Sequence, residues 1–176
     1  FSHHARQPYN EFEIPTPSTI YGKSKLAGER FVQNLCTRHV IVRSSWVYGI
    51  GRDFVNTILE AANNPSVTSM EVAENEFAIP TSATELAKVI EQLIDNDCLG
   101  IYHAVCGGFC SRFEFAQAIL KAIHAKDKLT LKPISDSETI NYSVLDNMML
   151  RLENFTQPIS WQQALKDYIR TTGGNN

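Results

Sequence analysis

The chain has 176 residues, 43% hydrophobic and 20% charged, with a formal net charge of −3 at pH 7. This is the balance of a globular domain; it offers no basic footprint for nucleic acid and no apolar run long enough to span a membrane. Four cysteines without framework spacing (Cys36, Cys98, Cys106, Cys110) and no charged-then-apolar leader suit a reducing, cytoplasmic compartment.

Residues 1–17 read as a loop, with Pro8, Pro15 and Pro17 and no periodicity; with Phe1 first, the chain reads as processed or truncated. A helix is predicted from about Ser18 to Cys36, with Ser18 as N-cap and Ile20, Leu26, Phe31 and Leu35 on one apolar stripe. Val40–Val42 form a short apolar run, as in a strand buried on both faces. Residues 53–62 read as a helix ended by Asn63-Asn64-Pro65. A strand over 67–72 and an irregular stretch ENEFAIPT precede a helix over Ala83–Asp95. A strand over 100–105 is closed by Gly107 and Gly108. The next helix opens with Ser111 and Glu114 in capping-box spacing. A strand over 129–134 and a helix from near Ser160 complete the order, and the GGNN tail reads as frayed. Short apolar strands alternating with helices predict an α/β fold with a mostly parallel sheet. No linker divides it.

Among the motifs, CGGFC (Cys106–Cys110) has no second ligand pair at zinc spacing and reads as buried thiols. GIGRDF (49–54) fails the G-x-G-x-x-G spacing of a phosphate loop. The stretch TIYGKSKLAGE remains. Tyr21 and Lys25 are four apart, so a helix puts them on one face. A neighbouring cation favours a phenolate, and a phenol so tuned can give a proton to a carbonyl oxygen or take one from an alcohol. Gly22 between them admits close approach to the helix backbone.

The blocks PYNEFEIPTPSTIYGKSKLAGE, IVRSSWVYG, GRDFVNTIL, IPTSATELA, GIYHAV, CSRFEFA and YSVLDN follow one another in a single order. Over residues 1–170 this series resembles the extended short-chain dehydrogenase/reductases, and within them the dTDP-4-dehydrorhamnose reductase subfamily. The resemblance implies the C-terminal part of a Rossmann-like fold: residues 1–60 the end of the core with the Y-x-x-x-K helix, residues 61–176 mostly a small substrate-binding subdomain. It implies that Tyr21 donates a proton to the C4 carbonyl of a 4-keto-6-deoxy sugar nucleotide. Lys25 would tune it and bind the nicotinamide ribose, Ser44 and Ser45 would lie near the nicotinamide, and Trp46 against the sugar. NADPH or NADH would supply the hydride. Trp161 reads as a packing residue.

The family's N-terminal dinucleotide-binding half, with its glycine-rich loop, has no counterpart here, nor does its substrate-binding Ser or Thr upstream of the tyrosine; Ser2, Thr16, Ser18 and Thr19 are misplaced for that role. SDSETINYSVLDN lacks the basic stretch that usually precedes its last block, and Asp53 and Ala78 replace the family's asparagine and glycine. The chain alone is therefore expected to be inactive, completed by a homodimer or by a partner carrying the missing half. The alternative is a non-catalytic sugar-nucleotide-binding or regulatory module acting through a protein partner. Glu71, Glu74 and Glu76 offer a candidate Mg²⁺ site, which the resemblance would place at a dimer interface as in some members of the family, although a solvated acidic loop fits them better; His3 and His4 read as exposed.

Overall fold

The structure is a computed structural model that describes residues 1, 7–135 and 140–173. His3, His4, Ser2, residues 136–139 and the end of the GGNN tail lie outside the described residues.

The elements run α1 (Ile20–Leu35), β1 (Val40–Arg43), β2 (Val47–Tyr48), α2 (Phe54–Asn63), β3 (Ser69–Ala73), β4 (Glu76–Ala78) and β5 (Thr81–Ser82). Then come α3 (Ala83–Asp95), β6 (Gly100–His103), β7 (Cys110–Ser111), α4 (Arg112–Ala122), β8 (Thr130–Ile134), β9 (Asn141–Tyr142), α5 (Met148–Leu152) and α6 (Trp161–Gly173). Pairing is parallel between β1 and β6, β2 and β5, β3 and β8, and β4 and β9; among the described residues only β4 with β7 is antiparallel. The α/β class with mostly parallel strands is therefore observed. β1 meets β6 in the register Val40↔Gly100 to Arg43↔His103, so two segments 60 residues apart end side by side.

The main core surrounds α4: Phe115, Ala116 and Ile119 pack with Val55 and Ile58 of α2 and with Trp161, Ala164 and Leu165 of α6. Trp161 is thus the packing residue its sequence suggested. A second cluster joins Val89 and Leu93 of α3 to Tyr102 of β6 and Leu150 of α5. The Ser111–Glu114 capping box is formed in both directions, at 3.0 and 2.7 Å.

Several expectations need correction. Thr19, not Ser18, caps α1, its hydroxyl oxygen accepting the Gly22 N–H at 3.0 Å. The four apolar residues of α1 do not share one stripe: Ile20, Phe31 and Leu35 lie together and exposed, and Leu26 lies on the opposite side. β1 is only half-buried, because among the described residues it has one strand neighbour, β6. The stretch read as irregular holds β4 and β5; these pieces are too short for periodicity to reveal them, and their partners are distant in sequence. β9, with two residues, and α5, with five, are likewise too short for periodicity to reveal.

Candidate functional site

β1 ends at Arg43 and the chain passes into Ser44-Ser45-Trp46. Trp46 holds a left-handed backbone, φ 38°, which is costly for a bulky residue and concentrates at functional sites. The segment is pinned from both sides. The Ser44 hydroxyl donates to the Ala104 carbonyl at 2.8 Å, Ser45 Oγ accepts from the Ile79 N–H at 3.5 Å, and the Trp46 carbonyl accepts from the Thr81 N–H at 3.3 Å. The Arg112 guanidinium lies 3.8 Å from the centroid of the Trp46 ring and 4.8 Å from that of Phe54, and Nε is 3.6 Å from Glu76. A guanidinium on the indole face is a cation–π contact, so the Trp46 ring is held in place by a residue 66 positions away.

Opposite this wall stands α1. Tyr21 is 72% exposed, and the Lys25 ammonium lies 5.4 Å from its ring centroid. Lys25 makes no ion pair among the described residues, so its N–H donors are uncommitted. Gly22 has a specific neighbour: a Cβ there would meet Pro17 Cβ at 2.8 Å and Thr19 Oγ1 at 3.2 Å. The group that approaches the helix backbone at this glycine is thus the chain's own Pro17. At the far end of the same face, Glu29 takes Arg43 in a two-pronged ion pair, Nε to Oε1 at 2.9 Å and Nη2 to Oε2 at 2.6 Å.

Between these walls lies a cleft of about 420 Å³. Tyr21, Lys25, Ser44, Ser45 and Trp46 all line it, so the five residues singled out in the sequence converge on one space. Phe1, Thr19, Glu29, Arg43, Ser143 and Leu145 also line it, and the sequence does not mark them as site residues. Phe1 stacks on Tyr9 at 4.3 Å and covers the Arg43 guanidinium at 5.6 Å. Only Glu29 left a signal in the sequence, four residues beyond Lys25 on the same helix. Its partner Arg43 and the Arg112 stack depend on tertiary contacts. Larger depressions beside α2 and α6 and between α3 and α6 contain none of the five.

Asp53 and Ala78 lie outside the cleft. Asp53 caps α2, accepting from the N–H groups of Gly49 and Asn56, and Ala78 is fully buried in β4. Glu71, Glu74 and Glu76 give no support to a Mg²⁺ site: Glu76 faces Arg112, Glu74 accepts from the Ser135 hydroxyl, and no metal-holding group of three occurs among the described residues. Cys106 and Cys110 are buried thiols; burial pushes Cys106 up to about 11 and Cys110 up to about 12.

Residues 1–173 match the model of the RmlD substrate binding domain. A spore coat polysaccharide biosynthesis protein, SpsK, of Bacillus subtilis is 33% identical over 97% of this chain and 60% of its own length. The dTDP-4-dehydrorhamnose reductase of Escherichia coli is 31% identical over 90% of this chain and 58% of its own. Among solved structures, a dTDP-4-dehydrorhamnose reductase from Bacillus anthracis in complex with NADP superposes with a TM-score of 0.90 at 34% identity, over 98% of this chain and 62% of that one. The chain thus spans about 60% of the length of the curated relatives it matches.

Proposed function

The chain belongs to the RmlD substrate binding domain family, and from that premise we propose that it is the substrate-side part of an NAD(P)H-dependent reductase of 4-keto-6-deoxy sugar nucleotides. The substrate assigned is dTDP-4-dehydro-L-rhamnose and the product dTDP-L-rhamnose. The observation that carries this reading is the convergence of Tyr21, Lys25, Ser44, Ser45 and Trp46 on one cleft.

The division of labour follows from the side chains. The Tyr21 hydroxyl is a proton donor on an exposed helix face, able to reach a sugar carbonyl oxygen. The Lys25 ammonium lies beside it, 5.4 Å from the ring centroid. Its uncommitted N–H donors fit the ribose hydroxyls of a dinucleotide, with Ser44 and Ser45 on the facing wall beside the nicotinamide. When bound, the reduced nicotinamide supplies a hydride. Trp46, fixed by Arg112, gives the sugar a rigid apolar wall. No glycine-rich phosphate loop occurs in these 176 residues, so this chain alone is assigned no turnover, and residues 1–60 are assigned to the core and 61–176 mostly to the substrate subdomain. No helix among the described residues is long and apolar enough to cross a membrane; the four free thiols and the nicotinamide chemistry fit the cytoplasm.

The test is NADPH oxidation at 340 nm by the natural polypeptide with dTDP-4-dehydro-L-rhamnose. Turnover that Tyr21→Phe abolishes supports the assignment. Absence of turnover, together with capture of a defined protein partner, would replace it with the regulatory reading.

A further inference from the structure

Helix α1 carries the proposed proton donor, yet it is thinly attached to the molecule. None of its 16 residues is buried. Only Gly22, Leu26 and Glu29 are half-buried, and the rest are exposed. Their spacing, i, i+4 and i+7, draws one line down one helix face. Tyr21 and Lys25 each precede a member of that line by one residue. The rotation that seats the line therefore decides where the phenol and the ammonium face.

The three seats differ in what they can fix. Gly22 rests against Pro17, a contact that sets distance alone. Leu26 is a single aliphatic side chain. Glu29 is held by both prongs of the Arg43 fork, with the two side chains only 19% and 12% exposed. Two parallel charge-assisted bonds fix orientation as well as distance. Arg43 is also the last residue of β1, and the next three residues are the Ser44–Trp46 wall. The pair thus joins the two walls of the cleft directly.

We propose that Glu29 and Arg43 are positioning residues, a two-pronged strut that sets the Tyr21–Lys25 face of α1 against Ser44, Ser45 and Trp46. The proposal rests on the reading of the cleft given above.

Hydrogen exchange and fluorine resonance test it on this chain. In Glu29→Gln, the α1 amides exchange about tenfold faster while those of α4 stay within about twofold, the mark of local rather than global opening. Arg43→Lys keeps the charge and loses the fork, so it gives the same α1-selective change. In protein labelled with 3-fluorotyrosine, where Tyr21→Phe identifies the Tyr21 line among the six tyrosines, the Tyr21 resonance shifts in both variants and that of Tyr102 does not. Equal acceleration of α1 and α4 would make the pair a general brace and overturn the proposal. An unmoved Tyr21 line would overturn it too. If Glu29→Gln fails to fold, Arg43→Lys carries the same comparison. Neither readout needs cofactor or turnover, so a failed reductase assay and a failed strut are separate results.

Discussion

Tyr21 and Lys25 were readable from spacing because both lie on one helix, where four residues make one turn. Tyr21 is exposed and its hydroxyl supports no hydrogen bond among the described residues, so Tyr21→Phe should leave the melting temperature unchanged. In the natural polypeptide it should lower kcat by about 10²–10⁴-fold, the usual worth of a positioned proton donor. Parallel assays of melting and NADPH oxidation check the pair of outcomes; a lowered melting temperature would mean the phenol has a structural task. His103 had no sequence signal at all. It is fully buried on β6, its Nδ1 3.1 Å from the Asp146 carbonyl, and Glu11 accepts its backbone N–H at 2.9 Å. Burial above all, with Arg43 adding to it against the opposing pull of Glu11, holds its imidazole below the ordinary histidine value. The unfolded chain, whose histidine titrates near about 6.5, therefore binds the proton that the native state refuses. Stability should fall as pH drops below that value, and urea midpoints at pH 7.5 and 5.5 measure the loss. His103→Gln should shrink the difference between the two midpoints, and an unchanged difference would assign the effect to another group. The thiols separate in the same residue-by-residue way. Cys36 is exposed and should react with a disulfide reagent at pH 8, whereas Cys106 and Cys110 should react only after unfolding.

At the level of elements, the helices were the legible part. α3 spans the residues expected of it, and α4 starts at the capping box visible as Ser111 and Glu114. Both rest on signals within one or two turns of chain. Ser111→Ala should cost about 1 kcal/mol, the typical loss of an N-cap, read as a shifted denaturation midpoint with the helix otherwise intact. The strands β4, β5 and β9 were illegible because two or three residues carry no period, and only partners such as Cys110–Ser111 make them strands. α1 shows the opposite failure. Its boundaries are legible to within two residues, but its four apolar residues do not share one stripe: Leu26 lies on the side that meets the body, and Ile20, Phe31 and Leu35 face away. Apart from Leu26, that side bears Gly22 and Glu29, and a glycine and a glutamate carry no apolar signal. Gly22→Ala supplies the contrast: its Cβ would meet Pro17 Cβ at 2.8 Å, closer than carbon atoms tolerate. The gain in helix propensity over glycine, about 1 kcal/mol, should be offset by displacement of Pro17. Faster exchange of the α1 amides in Gly22→Ala is the expected outcome, and slower exchange would show that Pro17 yields freely.

For the whole molecule, the decisive feature is what α1 leaves uncovered. Ile20 is 87% exposed, Phe31 66% and Leu35 79%, and helical spacing puts the three on the side away from Gly22, Leu26 and Glu29. An isolated exposed leucine is ordinary, but a stripe of three large apolar side chains along one helix is the kind of surface that folded chains cover. β1 adds to this, with a single strand neighbour among the described residues and only partial burial along its length. From the sequence a homodimer, or a partner carrying the missing half, is expected without any indication of where it would dock, and the exposed stripe offers a place for it. The chain should therefore self-associate through α1 at tens of micromolar. Light scattering should give a molar mass above 19.8 kDa that rises with concentration. The double variant Phe31→Glu, Leu35→Lys should return it to the monomer value without lowering the melting temperature, because neither side chain belongs to either core cluster. A monodisperse monomer of the unaltered chain at the highest soluble concentration would sink the idea. Association that survives the double variant would move the interface to the edge of β1, where charged substitutions in the strand are the next variants to make.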